Sequence, residues 1–142
     1  MKRVRLIVGT VLILIILSLL ASRTALVIED KNYNPDTLLR LHVIANSNSL
    51  TDQALKRKVR NKIIQVSQNW FNNITDVSQA EKIVKEKLDY LSQVAENEIK
   101  DRGKDYVVKI KLGKFNFPSR TYGNVTLATG DYQALRIIIG EG

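Results

Sequence analysis

The sequence predicts an α+β domain in which two amphipathic helices pack on one face of a mainly antiparallel sheet of about four strands, in the order β-α-α-β-β-β. Three patterns predict it. Residues 38–45 form an apolar strand-like run, residues 50–103 carry two helical stripes, and period-two alternation begins at Tyr106.

Ahead of this domain, Met1 to Arg5 reads MKRVR, and the 17 residues from Leu6 to Ser22 carry no charge. A basic start followed by an apolar run is the pattern of a secretory signal peptide or signal anchor, assigned here to residues 1–24. As a helix the apolar run would span roughly 25 Å, short of a hydrocarbon core of about 30 Å. Leu19 and Leu20 stand where a small residue is wanted for cleavage after Ala21 or Ser22, which leaves a cut signal and an uncut anchor as alternatives. Positive flanks stay in the cytoplasm, which places the rest of the chain outside it. Residues 25–37, with Asn32, Asn34 and Pro35, read as a tether, and residues 38–142 as a single extracytoplasmic domain.

Leu38 to Ala45, LLRLHVIA, is the first strand, closed by Asn46-Ser47-Asn48-Ser49. Ser49 or Thr51 caps the first helix, with Asp52 in its first turn and a stripe of Leu55, Val59, Ile63, Val66 and Trp70. Ser78-Gln79-Ala80-Glu81 is a capping-box pattern for the second, whose stripe is Ala80, Val84, Leu88, Leu91, Ala95 and Ile99, with Gly103 as its stop. Tyr106, Val108, Ile110 and Leu112 then alternate with Val107, Lys109 and Lys111. The apolar parity flips to Phe115 and Phe117, and Gly113 is placed to absorb the shift as a bulge. Thr121 to Asn124 reads as a turn, Val125 to Leu127 as a short strand, and Thr129 to Asp131 as a hairpin connection into Tyr132 to Ile139.

The chain holds no Cys and one His, which excludes disulfides, thiol nucleophiles, iron–sulfur sites and zinc sites needing several such ligands. No cofactor or metal is expected. Lys2, Arg3, Arg5 and Arg23 supply four of the 22 basic side chains, and no acid precedes Glu29, which leaves an excess of only +4 beyond Thr24. Nucleic acid is therefore not an expected partner.

Two stretches carry a family resemblance. LRLHVIANSNSLTDQALKRKVRN from Leu39 and FPSRTYGNVTLATGDYQALRIIIGEG from Phe117 resemble the stage II sporulation protein R family of endospore-forming bacteria. The resemblance implies an exported signalling protein that is made in the forespore and enters the space between the two sporulation membranes. There it would activate a membrane-embedded aspartic protease of the mother cell, which processes the sigma-E precursor. Family members continue past the GEG-type glycines into an aromatic, Cys-containing tail, and this sequence ends at Gly142.

The residue chemistry expects a non-enzyme. Arg40, His42 and Asn46 share one side of the first strand and its exit, opposite Leu39, Leu41 and Val43. With Ser47, Asp52 and Gln53 nearby they make a candidate recognition patch, or else a set of local caps. No Gly-rich oxyanion turn accompanies a serine, which argues against a triad built on His42. Lys56, Arg57, Lys58, Arg60 and Lys62 place five bases within seven residues, either a solvated helix face or a surface for an anionic partner or lipid headgroups, with Lys58 and Arg60 as contact candidates. Tyr122 and Asn124 join the candidates through the YGN motif. A membrane-tethered structural module of an extracytoplasmic assembly is the alternative function.

Overall fold

The computed structural model describes Tyr33 and residues 35–142. The signal or anchor assigned to residues 1–24, and most of the tether, lie outside the described residues. Among the described residues no helix is long and apolar enough to cross a membrane.

A 3-10 turn, Pro35–Thr37, leads into β1, Leu39–Ile44, and then α1, Leu50–Ser67. Ser49 is the cap of α1: the Asp52 amide donates to its Oγ at 3.2 Å. The helix stops at Ser67, whose hydroxyl donates back to the Ile63 carbonyl at 2.8 Å. Trp70 therefore lies past the helix end, and a following turn still packs it against the core.

Residues 77–101 depart from the single expected helix. They form α2, Val77–Glu86, and α3, Leu88–Asp101, with a break at Lys87. The Lys87 amide bonds the Val84 carbonyl at 3.0 Å, three residues back instead of four. No proline or glycine marks the site, so the local sequence carries no signal for it. The cap of α2 is Asp76, not Ser78: Asp76 Oδ1 accepts from the Gln79 amide at 2.9 Å and from the Ser78 hydroxyl at 2.6 Å. The expected stop does hold. Gly103 has φ 72°, its amide donates to the Lys100 carbonyl, and the Lys104 amide donates to that of Ile99, a Schellman ending.

The remaining strands are β2, Val108–Phe117; β3, Arg120–Tyr122; β4, Val125–Leu127; and β5, Gly130–Ile139. The main sheet has three strands in the order β1-β5-β2, and β3 and β4 form a separate antiparallel ribbon. Arg120 to Tyr122 is thus strand rather than turn, and the turn is Gly123-Asn124, with Gly123 at φ 62°. The α+β class and the predominance of antiparallel pairing agree with the sequence reading. The last strand, however, does not form a hairpin with β4. It returns to pair along β2, from Phe117 opposite Gly130 to Val108 opposite Ile139, and takes β1 as a parallel neighbour on its other edge.

That β2–β5 register is unbroken through Gly113, opposite Ala134, so there is no bulge. Instead of the strand shifting, its apolar residues change face. Val108, Ile110 and Leu112 point to the helices, whereas Phe115 and Phe117 point to the opposite face and belong to a second apolar cluster with Tyr132 and Ala134. On the helix side Val59, Ala95 and Ile137 have no solvent exposure, and Leu91 and Ile99 only 1%.

Leu91→Ala should destabilise by about 2–5 kcal/mol, because the void opens between α3 and the sheet. Asn97→Ala, on the exposed side of α3, should stay within about 0.5 kcal/mol. Urea unfolding of the two variants checks this, and equal losses would contradict the assigned helix face.

Candidate functional site

The sequence candidates separate into two places. The first is a polar junction built on Asp52, which is buried at the start of α1. Its Oδ2 accepts from the Ser47 hydroxyl at 2.6 Å and the Asn46 amide at 3.1 Å, and its Oδ1 accepts from the Tyr106 hydroxyl at 3.1 Å. These hydrogen bonds, led by that of Ser47, hold the Asp52 carboxyl below its ordinary range against the opposing effect of burial. Gln53 closes the same turn by donating to the Ser47 carbonyl at 3.0 Å. Asn46 also accepts from the Glu141 amide at 3.1 Å, which ties the end of β5 to the end of β1. Asn46, Ser47, Asp52 and Gln53 are therefore fastened to one another and to the fold.

Arg40 and His42 lie elsewhere, on the sheet face opposite the helices. The Arg40 guanidinium stacks 4.1 Å from the Phe117 ring centroid and 4.7 Å from that of Tyr132. Arg136 stacks 4.2 Å from Phe115, and His42 meets Phe117 edge-on at 5.3 Å. Such cation–ring contacts supply about 0.5–2 kcal/mol each, more as water is excluded. Phe117 is the hub, touched by Arg40, Arg136, His42 and Tyr132. Buried within this layer, Arg40 Nη1, His42 Nδ1 and Arg136 Nε have no hydrogen-bond partner among the described residues. Burial first, then the positive charges of Arg136, Arg40, Lys56 and Arg120, hold the His42 imidazole below its ordinary value of 6.5.

Beside this layer runs a groove of about 550 Å³. One wall is α1 with Lys56, Arg57 and Arg60; the floor is Leu38 and the β1 residues Leu39 to Val43; the other wall is the ribbon, with Arg120, Tyr122, Val125 and Leu127, and Tyr33 also lines the groove. Five permanent cations, Arg40, Lys56, Arg57, Arg60 and Arg120, line it together with His42, with no acid among the described lining residues. None of the five is ion-paired with a carboxylate among the described residues. Of the candidates, Arg40, His42, Arg60 and Tyr122 meet here; Lys58 is exposed outside the groove, and Asn124 sits in the ribbon turn. Arg120 and Arg136 are not among the sequence candidates, and Lys56 and Arg57 enter there only as part of the basic run, with Lys58 and Arg60 as its contact residues. The i, i+4 spacing of Lys56 and Arg60 was a usable signal. The placement of Arg136 beside His42 was not, because it depends on parallel pairing of strands from the two ends of the domain. Among the described residues no group of three His, Asp or Glu side chains is placed to hold a metal ion.

Residues 35–142 match the family model for stage II sporulation protein R. The chain belongs to that family. It is 32% identical over 108 residues to the stage II sporulation protein R of Bacillus subtilis (strain 168), an alignment covering 76% of this chain and 48% of that relative. The chain thus spans about half the length of the curated relative it matches. No solved structure matches it.

The fold brings the two family-like stretches together as adjacent strands. β1 from the first lies against β5 from the second, with Arg40 opposite Ala134 and His42 opposite Arg136. Arg40 from the first stretch also stacks on Phe117 and Tyr132 from the second. In this family member the cation–aromatic layer is accordingly a joint product of both, and one groove wall, the ribbon, belongs to the second.

His42 makes the layer sensitive to pH. Its unfolded form takes up a proton near 6.5 and its folded form only at lower pH. The unfolded state binds more protons in between, so stability is complete above 6.5 and falls as pH drops toward the depressed folded value. Asp52 and Asp76, also depressed, lose their contribution only at lower pH, from about 3.8 downward. His42→Gln should flatten the urea midpoint across the upper window and leave the acid limb in place. A wild-type midpoint that does not change between pH 7 and 5 would contradict the depressed imidazole.

Proposed function

We propose that the protein is an exported signal of endospore formation. It passes from the forespore into the space between the two sporulation membranes, where it activates a membrane-embedded aspartic protease of the mother cell and so leads to processing of the sigma-E precursor. The family match over residues 35–142 carries this reading. The basic, apolar-cored start of the chain supports export, with residues 6–22 as the segment that engages the membrane. The protein acts by binding rather than by catalysis. Ser47 Oγ donates to Asp52, while His42 lies among cations and rings with Nδ1 unpartnered among the described residues, so Ser47, His42 and Asp52 do not form a relay. A concave cluster of cations beside a sheet, with no acid among the described lining residues, is suited to recognising an acidic surface.

Complementation of a sporulating strain lacking its own family member tests the reading. Expression in the forespore should restore sigma-E precursor processing, read by immunoblot. Ile13→Arg with Ile16→Arg should abolish it by trapping the chain in the cytoplasm, since each charge adds about 2.5–3.5 kcal/mol to insertion. Processing by that trapped double variant would refute the export step. If the chain fails to signal but signals once a family-type C-terminal tail is added, the activity resides in the longer protein.

A further inference from the structure

We propose that the groove beside β1 receives an extended acidic segment of a partner protein, which adds as a strand to the open edge of β1 while its carboxylates meet Lys56, Arg57, Arg60 and Arg120. The idea deepens the signalling role and rests on that reading only in taking the partner to be a protein.

The first support is the edge itself. In the sheet order β1-β5-β2, β1 has a neighbour on one side only among the described residues. An edge strand offers a row of backbone N–H and C=O groups to an incoming chain. Six successive residues, Leu38 to Val43, line the groove. Side chains alternate between the two faces of a strand, so a groove lined by both parities runs along the strand's edge and not over one face. At about 3.3 Å per residue its floor is roughly 20 Å long, the span of a short extended segment.

Charge supplies the second support and selects the partner. Cations stand on both walls, Lys56, Arg57 and Arg60 on α1 and Arg120 on the ribbon, with no acid among the described lining residues. Lysines and arginines beside an open edge discourage pairing between copies, since two such edges would bring like charges together. The same charges favour a segment rich in Asp and Glu. Val125, Leu127 and the half-exposed Tyr122 offer apolar surface for the alternate side chains of that segment. A lipid surface fits less well, because these cations stand on two walls of a concave groove and not on one flat face.

The test measures fluorescence anisotropy of the full chain in detergent micelles. The probe is a labelled peptide of alternating glutamate and valine, compared with the same peptide N-methylated at alternate backbone amides. Strand addition predicts binding that weakens as salt is raised and that falls by about tenfold or more on N-methylation, because the charge is retained and the backbone donors are lost. Arg57→Ala with Arg60→Ala should weaken binding about tenfold and reduce the salt dependence, whereas Lys58→Ala with Lys62→Ala should not. All four side chains are exposed, and unchanged urea midpoints would confirm folding.

Equal binding of the N-methylated peptide, or no binding of either, would overturn the proposal. So would binding to phosphatidylserine vesicles that depends on Arg57 and Arg60 in the absence of peptide binding, or a dimer dissociated by the same substitutions. Peptide binding that appears only after Val27→Pro and Glu29→Lys would assign the groove to the chain's own residues 25–31 and overturn it as well. The assay contains no protease and no sporulating cell. Its failure therefore leaves the signalling reading standing, and failed complementation leaves the groove standing.

Discussion

The central strand β5 has a strand on each edge and must be covered on both faces, and most of the structure follows from that requirement. Its helix-facing residues, Leu135, Ile137 and Ile139, are buried under α1 and α3 in an aliphatic core. Its other face carries Tyr132, Ala134 and Arg136, and among the described residues no helix lies there to cover them. The covering comes instead from long side chains of the neighbouring strands. Phe115 and Phe117 reach over from β2 and Arg40 and His42 from β1, stacking rings and guanidinium groups into a lid. A guanidinium can serve this way because its flat face is weakly hydrated and its edge keeps its N–H donors available. The arrangement leaves polar nitrogens buried, a cost that an aliphatic lid would not carry.

A second constraint holds the ends of the domain together. β1 and β5 are parallel and come from opposite ends of the sequence, so no hairpin sets their register. The Asp52 junction fastens them. Asn46 bonds Asp52 on one side and the amide of Glu141, 95 residues away, on the other. Gly140 makes that approach possible: its φ is +64°, and a Cβ there would overlap the Asn46 side chain. Asn46 and the GEG glycines therefore belong to one contact, although they lie at opposite ends of the family-like sequence.

This contact also marks how far the sequence could be read. Local grammar was legible: the Ser49 cap, the Gly103 stop and the buried stripes of α1 and α3 all depend on residues within a few turns of one another. The break at Lys87 was not, because it replaces one i−4 bond with an i−3 bond and has no residue signature. At Gly113 the evidence in the sequence was real and its interpretation incomplete. A flip in apolar parity has two physical causes, an inserted residue or a second core on the other face, and only the unbroken pairing with β5 distinguishes them. The candidate patch divided for the same reason. Arg40 and Asn46 share a parity along the chain, but β1 ends at Ile44, and beyond the strand period two no longer determines direction.

The lid and the groove are connected through Arg40 and His42. Both side chains belong to the layer over β5, and both also line the groove at the edge of β1. The stacking of Arg40 keeps its positive charge at a fixed place beside a strand edge that is unpaired among the described residues, where a flexible surface lysine would first have to be ordered. Arg57 and Arg60 add exposed charge from α1, which sits over β1 through its own buried stripe of Leu55, Val59 and Ile63. The wall and the floor are thus set by the same packing. An anionic segment entering the groove would meet donors already positioned by the core, and it would also offset the mutual repulsion of cations that the free protein holds together. Like charges held this close work against the isolated fold, and an acidic strand of the proposed kind would turn that repulsion into attraction.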